Sequence, residues 1–253
     1  PNNFGGSRNF IMQMVEDSLK RLQTDYIDVY MIHRPDTRMP MEETLKTLDD
    51  LIHDGKIRYT AGCNFEAWRL VDSHWIGKQN NLVPLAASQF AYSMMARSAE
   101  KEMIPACRQL GIGVIPYLPL AAGLLTGKVS KNGAPPANTR LAIEQGTAER
   151  WITPHNLKLV SVLDDWARNH GHSVTELALA WLLNKPIVAT VIAGASSPAH
   201  IRQNVKASEW RLTSDERNEV NKILDEMPPE NSGVYYSTAG YFNAPTEMTP
   251  RVE

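Results

Sequence analysis

Apolar residues along this chain recur with two different periods, and the switches between them outline its elements. From Ser7, read as an N-cap, Phe10, Ile11, Met14, Val15, Leu19 and Leu22 share one helix face. The run DYIDVYMI then turns β-branched and aromatic, which predicts a strand over 26–32. Met41, Thr44, Leu45, Leu48, Leu51 and Ile52 return to helical spacing, and Gly55 stops that helix. KIRYTAGCN, LAASQFAYS, GVIPYLPL and IVATVIAG predict four more strands. Between them fall a short helix near 67–76 and a stripe of Met103, Ile104, Cys107 and Leu110 closed by Gly111. After a Gly/Pro/Asn-rich loop over 126–140 come a helix near 157–170 and LALAWLLN, apolar nearly all round and therefore buried. SVTE at Ser173 and TSDE at Thr213 have capping-box spacing. Another helix starts at Pro198, and a Pro/Tyr-rich tail follows the last one.

Continuously apolar strands separated by helices imply a parallel sheet covered on both faces. Five strands alternate with helices, which fits an open doubly wound sheet or a β/α barrel. No GxGxxG opens a helix, so the strongest signal for the open dinucleotide-binding sheet is missing. Polar residues gather at the C-terminal ends of successive strands instead: His33, then Cys63 and Asn64, then Gln89, then Tyr117. Barrel enzymes build their sites this way. The expectation is one domain over 1–253, an α/β (β/α)8 barrel. Five strands do not close eight, and no strand precedes the helix at Ser7. The strands in hand are therefore read as strands 4–8, with the first third upstream of Pro1.

Composition changes little. The 253 residues are 43% hydrophobic and 21% charged with net charge −2, so no basic field argues for nucleic acid or a membrane surface. Cys63 and Cys107 make no disulfide framework and fit a reducing compartment. GIGVIPYLPLAAGLL is too short to span a bilayer, and no signal-peptide pattern opens the chain. A cytoplasmic protein is the default, and a homo-oligomer stays open.

The chemistry sits at the strand ends. In VIAGASSPAHIRQN a strand ends in small residues, and Ser197 caps a helix that begins at Pro198. Taken alone this is an ordinary capped helix, but its free N–H groups also suit an anion. A single histidine at a strand end is more often structural than catalytic. Four polar strand ends in register instead describe a lined pocket. Asn64 and Gln89 offer paired donors and acceptors suited to a carboxamide, and Tyr117 a flat face for an aromatic ring. A flat, amide-bearing ligand that also carries phosphate matches a nicotinamide nucleotide.

The segments SLKRLQTDYIDVYMIHRPD, EETLKTLDDLIHDGKIRYTAGCN, SQFAYSMMARSAEKEMIPAC, GVIPYLPLAAGLLTGK and GASSPAHIRQN, in this order, resemble the aldo-keto reductases over essentially the whole chain. GASS and LAAGLLTGK are closer to the bacterial and potassium-channel β-subunit-like branches. The resemblance implies a barrel that binds NADP(H), with no metal, and moves hydride between nicotinamide and a small carbonyl substrate. The alternative it implies is an NADP(H)-binding redox sensor or channel β-subunit. It carries His33 to the histidine that orients the carbonyl, and Cys63, Asn64 and Gln89 to the carboxamide site. Tyr117 matches the residue stacked on the nicotinamide, with Leu118 and Leu120 beside it. Arg140 falls near the phosphates, and Gly194, Ser196, His200, Gln203 and Asn204 at the adenine and 2′-phosphate end.

Three departures stand out. Cys63 replaces the family's serine, a weaker hydrogen-bond partner. Ser196 and His200 stand where charged residues are common, so both NADP(H) and NAD(H) remain candidates. Nothing in the chain matches the family's catalytic Asp, Tyr and Lys. The aromatic residues Phe65, Trp68, Trp151, Tyr235 and Tyr236 are candidates for the substrate pocket, with plain packing as the equally weighted alternative.

Overall fold

The computed structural model describes residues 5–130, 132–137 and 139–231. Helices and strands alternate at first: α1 (Arg8–Leu22), β1 (Ile27–Ile32), α2 (Met41–His53), β2 (Ile57–Cys63), α3 (Ala67–Gln79), β3 (Ala87–Ala91), α4 (Met103–Leu110) and β4 (Gly113–Tyr117). Then follow α5 (Arg140–Ile143), α6 (Gln145–Trp151), α7 (Pro154–Asn169), α8 (Val174–Leu183), α9 (Pro198–Ala207) and α10 (Ser214–Glu226). The strands pair in parallel in the order β1-β2-β3-β4. Consecutive parallel strands need helical crossovers, and α2, α3 and α4 supply them.

Two cores hold the helices to the sheet. Ile11, Val15 and Leu19 of α1 meet Leu48 and Leu51 of α2 and Ile57 of β2. A larger core joins Phe90 and Val114 of the sheet to α3, α4, α7, α8 and α10. Nine of the ten residues of α8, all but Leu183, are buried, as its unbroken apolar run requires.

The expected fifth strand is not a strand. Residues 187–192 run beside β4 with only two isolated bridges, Val114↔Val188 and Tyr117↔Ile192. Val114 donates to Ile187 O and accepts from Ala189 N–H, both at 2.9 Å. Along a parallel strand alternate N–H groups face the same neighbour, so the next donor toward this edge belongs to residue 116. That residue is Pro116, which has no N–H. Its carbonyl accepts from Ile192, one residue later than a regular ladder gives, and the pairing breaks there.

The sheet is an open arc. Register partners share a face, and Val29 of β1 and Tyr59 of β2 are partners, 44% and 57% exposed. The same face carries Met31, Ala61, Cys63, Gln89 and Tyr117 further along.

The caps divide by chemistry. Both expected capping boxes form: Ser173 with Glu176 on α8, and Thr213 with Glu216 on α10. Ser7 occupies the N-cap of α1, but its hydroxyl makes no capping bond; its carbonyl accepts from Ile11 N–H at 3.0 Å. The Glu216 carboxyl titrates below its ordinary range, chiefly because the Thr213 backbone N–H donates to it; burial opposes this and the Thr213 hydroxyl assists. A carboxylate with a lowered folded pKa stabilises the fold above its unfolded pKa, and that contribution is lost as pH falls through the folded value. Thr213→Ala is therefore expected to remove about 1 kcal/mol at neutral pH. Thermal denaturation should show this as a Tm lower by about 2–4 °C, with a smaller gap between variant and parent near pH 3.

Candidate active site

The strand ends converge as side chains as well as in register. Cys63 pairs with Gln89 across β2 and β3, and Ala91 with Tyr117 across β3 and β4. Ile32 pairs with Gly62, so alternation puts His33 beside Cys63 at the end of β1. Gly62 is needed there: a Cβ would come within 2.9 Å of the Phe65 ring and 3.2 Å of Leu85.

A chain of hydrogen bonds ties these ends together. Tyr117 Oη donates to Asn64 Oδ1 at 2.7 Å. Asn64 Nδ2 donates to the His33 carbonyl at 3.1 Å and to Cys63 Sγ at 3.2 Å. Cys63 Sγ in turn donates to Gln89 Oε1 at 3.0 Å. The thiol thus fills both roles of a hydroxyl. Asn64 takes a left-handed backbone, φ 58°, which asparagine tolerates better than most residues, and its N–H donates to Gln89 O at 3.0 Å.

Just beyond Tyr117 the backbone is strained. Leu118, Ala121 and Ala122 have φ of 55°, 47° and 58° without being glycine. Such clusters cost free energy that the surrounding fold must hold in place, and they concentrate at ligand sites. Leu118 and Leu120 are half-buried here, and their carbonyls accept from Ala121 and from Gly123 and Leu125.

The second group of candidates lies at the next position across the arc. Ile192 bridges Tyr117, and Gly194 follows two residues later with open space where a Cβ would stand. Ser197 Oγ accepts from His200 N–H at 3.3 Å and starts α9 as expected. Ser196 Oγ and His200 Nδ1 are 3.2 Å apart, and Asn204 Nδ2 reaches Gly194 O at 3.5 Å. Gln203 is exposed on the same helix. Arg202, also exposed there, is a cation that the sequence reading passed over. Arg140 is not drawn into this group; it pairs with Glu144, 3.5 Å away, the residue that follows its own short helix. Four steps between neighbouring strands separate His33 from Ile192, a span of roughly 15–20 Å, long enough for an extended dinucleotide.

The aromatic candidates separate cleanly. Phe65 and Trp151 are each 1% exposed and belong to the core, so neither lines a pocket. Trp68 is 60% exposed with the Arg69 guanidinium 4.5 Å above its ring. Tyr235 and Tyr236 lie outside the described residues.

The family model described as "Aldo/keto reductase family" matches residues 1–225. The chain belongs to the aldo/keto reductase family. It is 34% identical over 234 residues to the uncharacterized oxidoreductase YrpG of Bacillus subtilis, covering 92% of this chain and 68% of that protein. It is 36% identical over 236 residues to a putative voltage-gated potassium channel subunit beta of Schizosaccharomyces pombe, with 91% and 68% covered. Aldo-keto reductase AMT2 of Alternaria alternata is 34% identical over 229 residues, with 90% and 61% covered. Membership in the aldo/keto reductases makes this an oxidoreductase chain of the (β/α)8 class, here an open arc of that barrel. No helix among the described residues is long and apolar enough to cross a membrane.

Both aldo/keto reductase thiols are shielded. Cys63 and Cys107 are fully buried, and burial pushes them up to about 11 and about 12; Arg34 opposes this at Cys63 and Ser88 at Cys107. The thiolate is the nucleophile. Iodoacetamide at neutral pH is therefore expected to label neither cysteine in the native protein and both after denaturation, read by intact mass.

Proposed function

We propose that the protein is an NADP(H)-dependent carbonyl reductase of small aldehydes or ketones. The observation that carries this reading is the bonded series Tyr117–Asn64–Cys63–Gln89 beside His33. The donor set fits a nicotinamide carboxamide. Gln89 Oε1 is engaged by Cys63, which turns its amide NH₂ into the available donor, while Asn64 Oδ1 has a second lone pair beyond the one Tyr117 uses. The Tyr117 ring offers a stacking face. Gly194 and the α9 N-terminus suit phosphate, with Ser196, His200 and Arg202 near it on the same segment. The nicotinamide supplies the hydride when bound.

His33 has the orienting role in this reading. Its imidazole is exposed at the end of β1, where a ring N–H can donate to a carbonyl oxygen as charge builds there. The proton itself belongs to the family's tyrosine, which no residue of this chain matches.

A second reading has its own support. The Schizosaccharomyces pombe relative, named as a channel β-subunit, is as similar as the oxidoreductase from Bacillus subtilis. The same pocket would then hold the nucleotide as a sensed ligand. NADPH oxidation by the full-length protein with 4-nitrobenzaldehyde separates the two. Saturable turnover supports the reductase, saturable binding without turnover supports the sensor, and absence of binding contradicts both. Repeating the titration with NADH tests the expected cofactor preference.

A further inference from the structure

Arg34 follows His33 directly, and no hydrogen bond or ion pair to it is made among the described residues. Its Nε is sealed from solvent, yet no acceptor among the described residues meets it. A buried donor without a partner is rare in native structures and asks for an explanation, a ligand among the candidates. The carboxylates nearest to it in sequence and at the neighbouring strand end, Asp36 and Glu66, have other partners. Asp36 accepts from Arg38 Nε at 2.9 Å and Nη2 at 3.0 Å, from the Arg38 N–H at 3.0 Å and from Gly6 N–H at 3.0 Å. Glu66, two residues past Asn64, pairs with Arg69 at 3.0 Å.

The arginine also acts on the site. His33, the residue before it, is bound to the series through its carbonyl, which accepts from Asn64 Nδ2 at 3.1 Å, so Arg34 follows directly on the His33 end; its charge also opposes the effect of burial on the Cys63 thiol. The phosphate-binding candidates lie at the other end, beyond Tyr117 and Ile192. A guanidinium with no counter-ion among the described residues, beside the residue that meets the substrate oxygen, suits a carboxylate, which arginine binds in a planar, two-pronged geometry.

We propose that Arg34 is a specificity-determining residue that selects carbonyl substrates carrying a carboxylate. This rests on the reductase reading of the same pocket. The test uses full-length protein with NADPH and two aldehydes of matched shape, 4-carboxybenzaldehyde and its methyl ester. The parent protein is expected to favour the carboxylate by roughly 10- to 100-fold in kcat/KM. In Arg34→Met the ratio of the two kcat/KM values should collapse toward unity, and Arg34→Lys should restore part of it, since it keeps the charge without the fork. A ratio unchanged in Arg34→Met, including a proportionate loss on both aldehydes, overturns the proposal. If the parent protein reduces neither aldehyde, the reductase reading fails. Calorimetry with benzoate and benzamide on the NADPH-saturated protein then decides the arginine separately: benzoate binding that Arg34→Met abolishes supports the anion site, and equal binding of the two refutes it.

Discussion

Replacing His33 with alanine in the full-length protein is expected to lower kcat by roughly 10²–10³-fold, the usual effect of losing a positioned donor to a developing oxyanion. The NADPH dissociation constant should move little. The imidazole is exposed, and the His33 backbone carbonyl that accepts from Asn64 Nδ2 survives the substitution. A loss in kcat with cofactor binding intact is the signature of an interaction made in the transition state. Steady-state kinetics beside a fluorescence titration reads both. Unchanged turnover would remove His33 from the chemistry.

Tyr117→Ala is the mirror image. Stacking on an aromatic ring is worth about 1–3 kcal/mol, so NADPH binding should weaken by roughly 5- to 100-fold. The variant also frees Asn64 Oδ1, which Tyr117 Oη holds at 2.7 Å. Tyr117→Phe separates the two effects, because it keeps the ring and removes only that bond. It should weaken binding by less than about tenfold. Equal losses in both variants would assign the effect to the hydroxyl and remove the stacking argument.

Much of this arrangement can be read in the sequence because it is local. Capping boxes at Ser173 and Thr213 need only a hydroxyl and a carboxylate three residues on, and both form. Gly111 ends its helix in a left-handed conformation, φ 69°, as its lack of a Cβ allows. That Cys63, Gln89 and Tyr117 share a face follows from strand alternation; Asn64, next to Cys63 in the chain, joins them through its left-handed backbone, φ 58°, which the sequence does not show. What escaped depends on neighbours distant in sequence. IVATVIAG has the composition of a strand, but Pro116 on the adjoining strand withholds the donor it needs. Phe65 and Trp151 sit in sequence where pocket residues do, and only packing shows them to be core. The helices α5 and α6, inside and just past the loop region, carry too few residues to show a period.

Val29 and Tyr59 leave apolar surface uncovered on the face that also bears Cys63, Gln89 and Tyr117. Cys63, Asn64, Gln89 and Tyr117 satisfy one another's polar groups through the bonded series, so a ligand seated there would have to exchange some of these internal bonds for bonds to itself.

The most direct measurement is an NADPH titration of the full-length protein and its Asn64→Ala/Gln89→Ala double variant, followed by protein fluorescence. If the strand ends jointly grip the carboxamide, the parent binds saturably and the double variant binds roughly 100-fold more weakly. Equal affinity in the two proteins, or no saturable binding in the parent, contradicts the account.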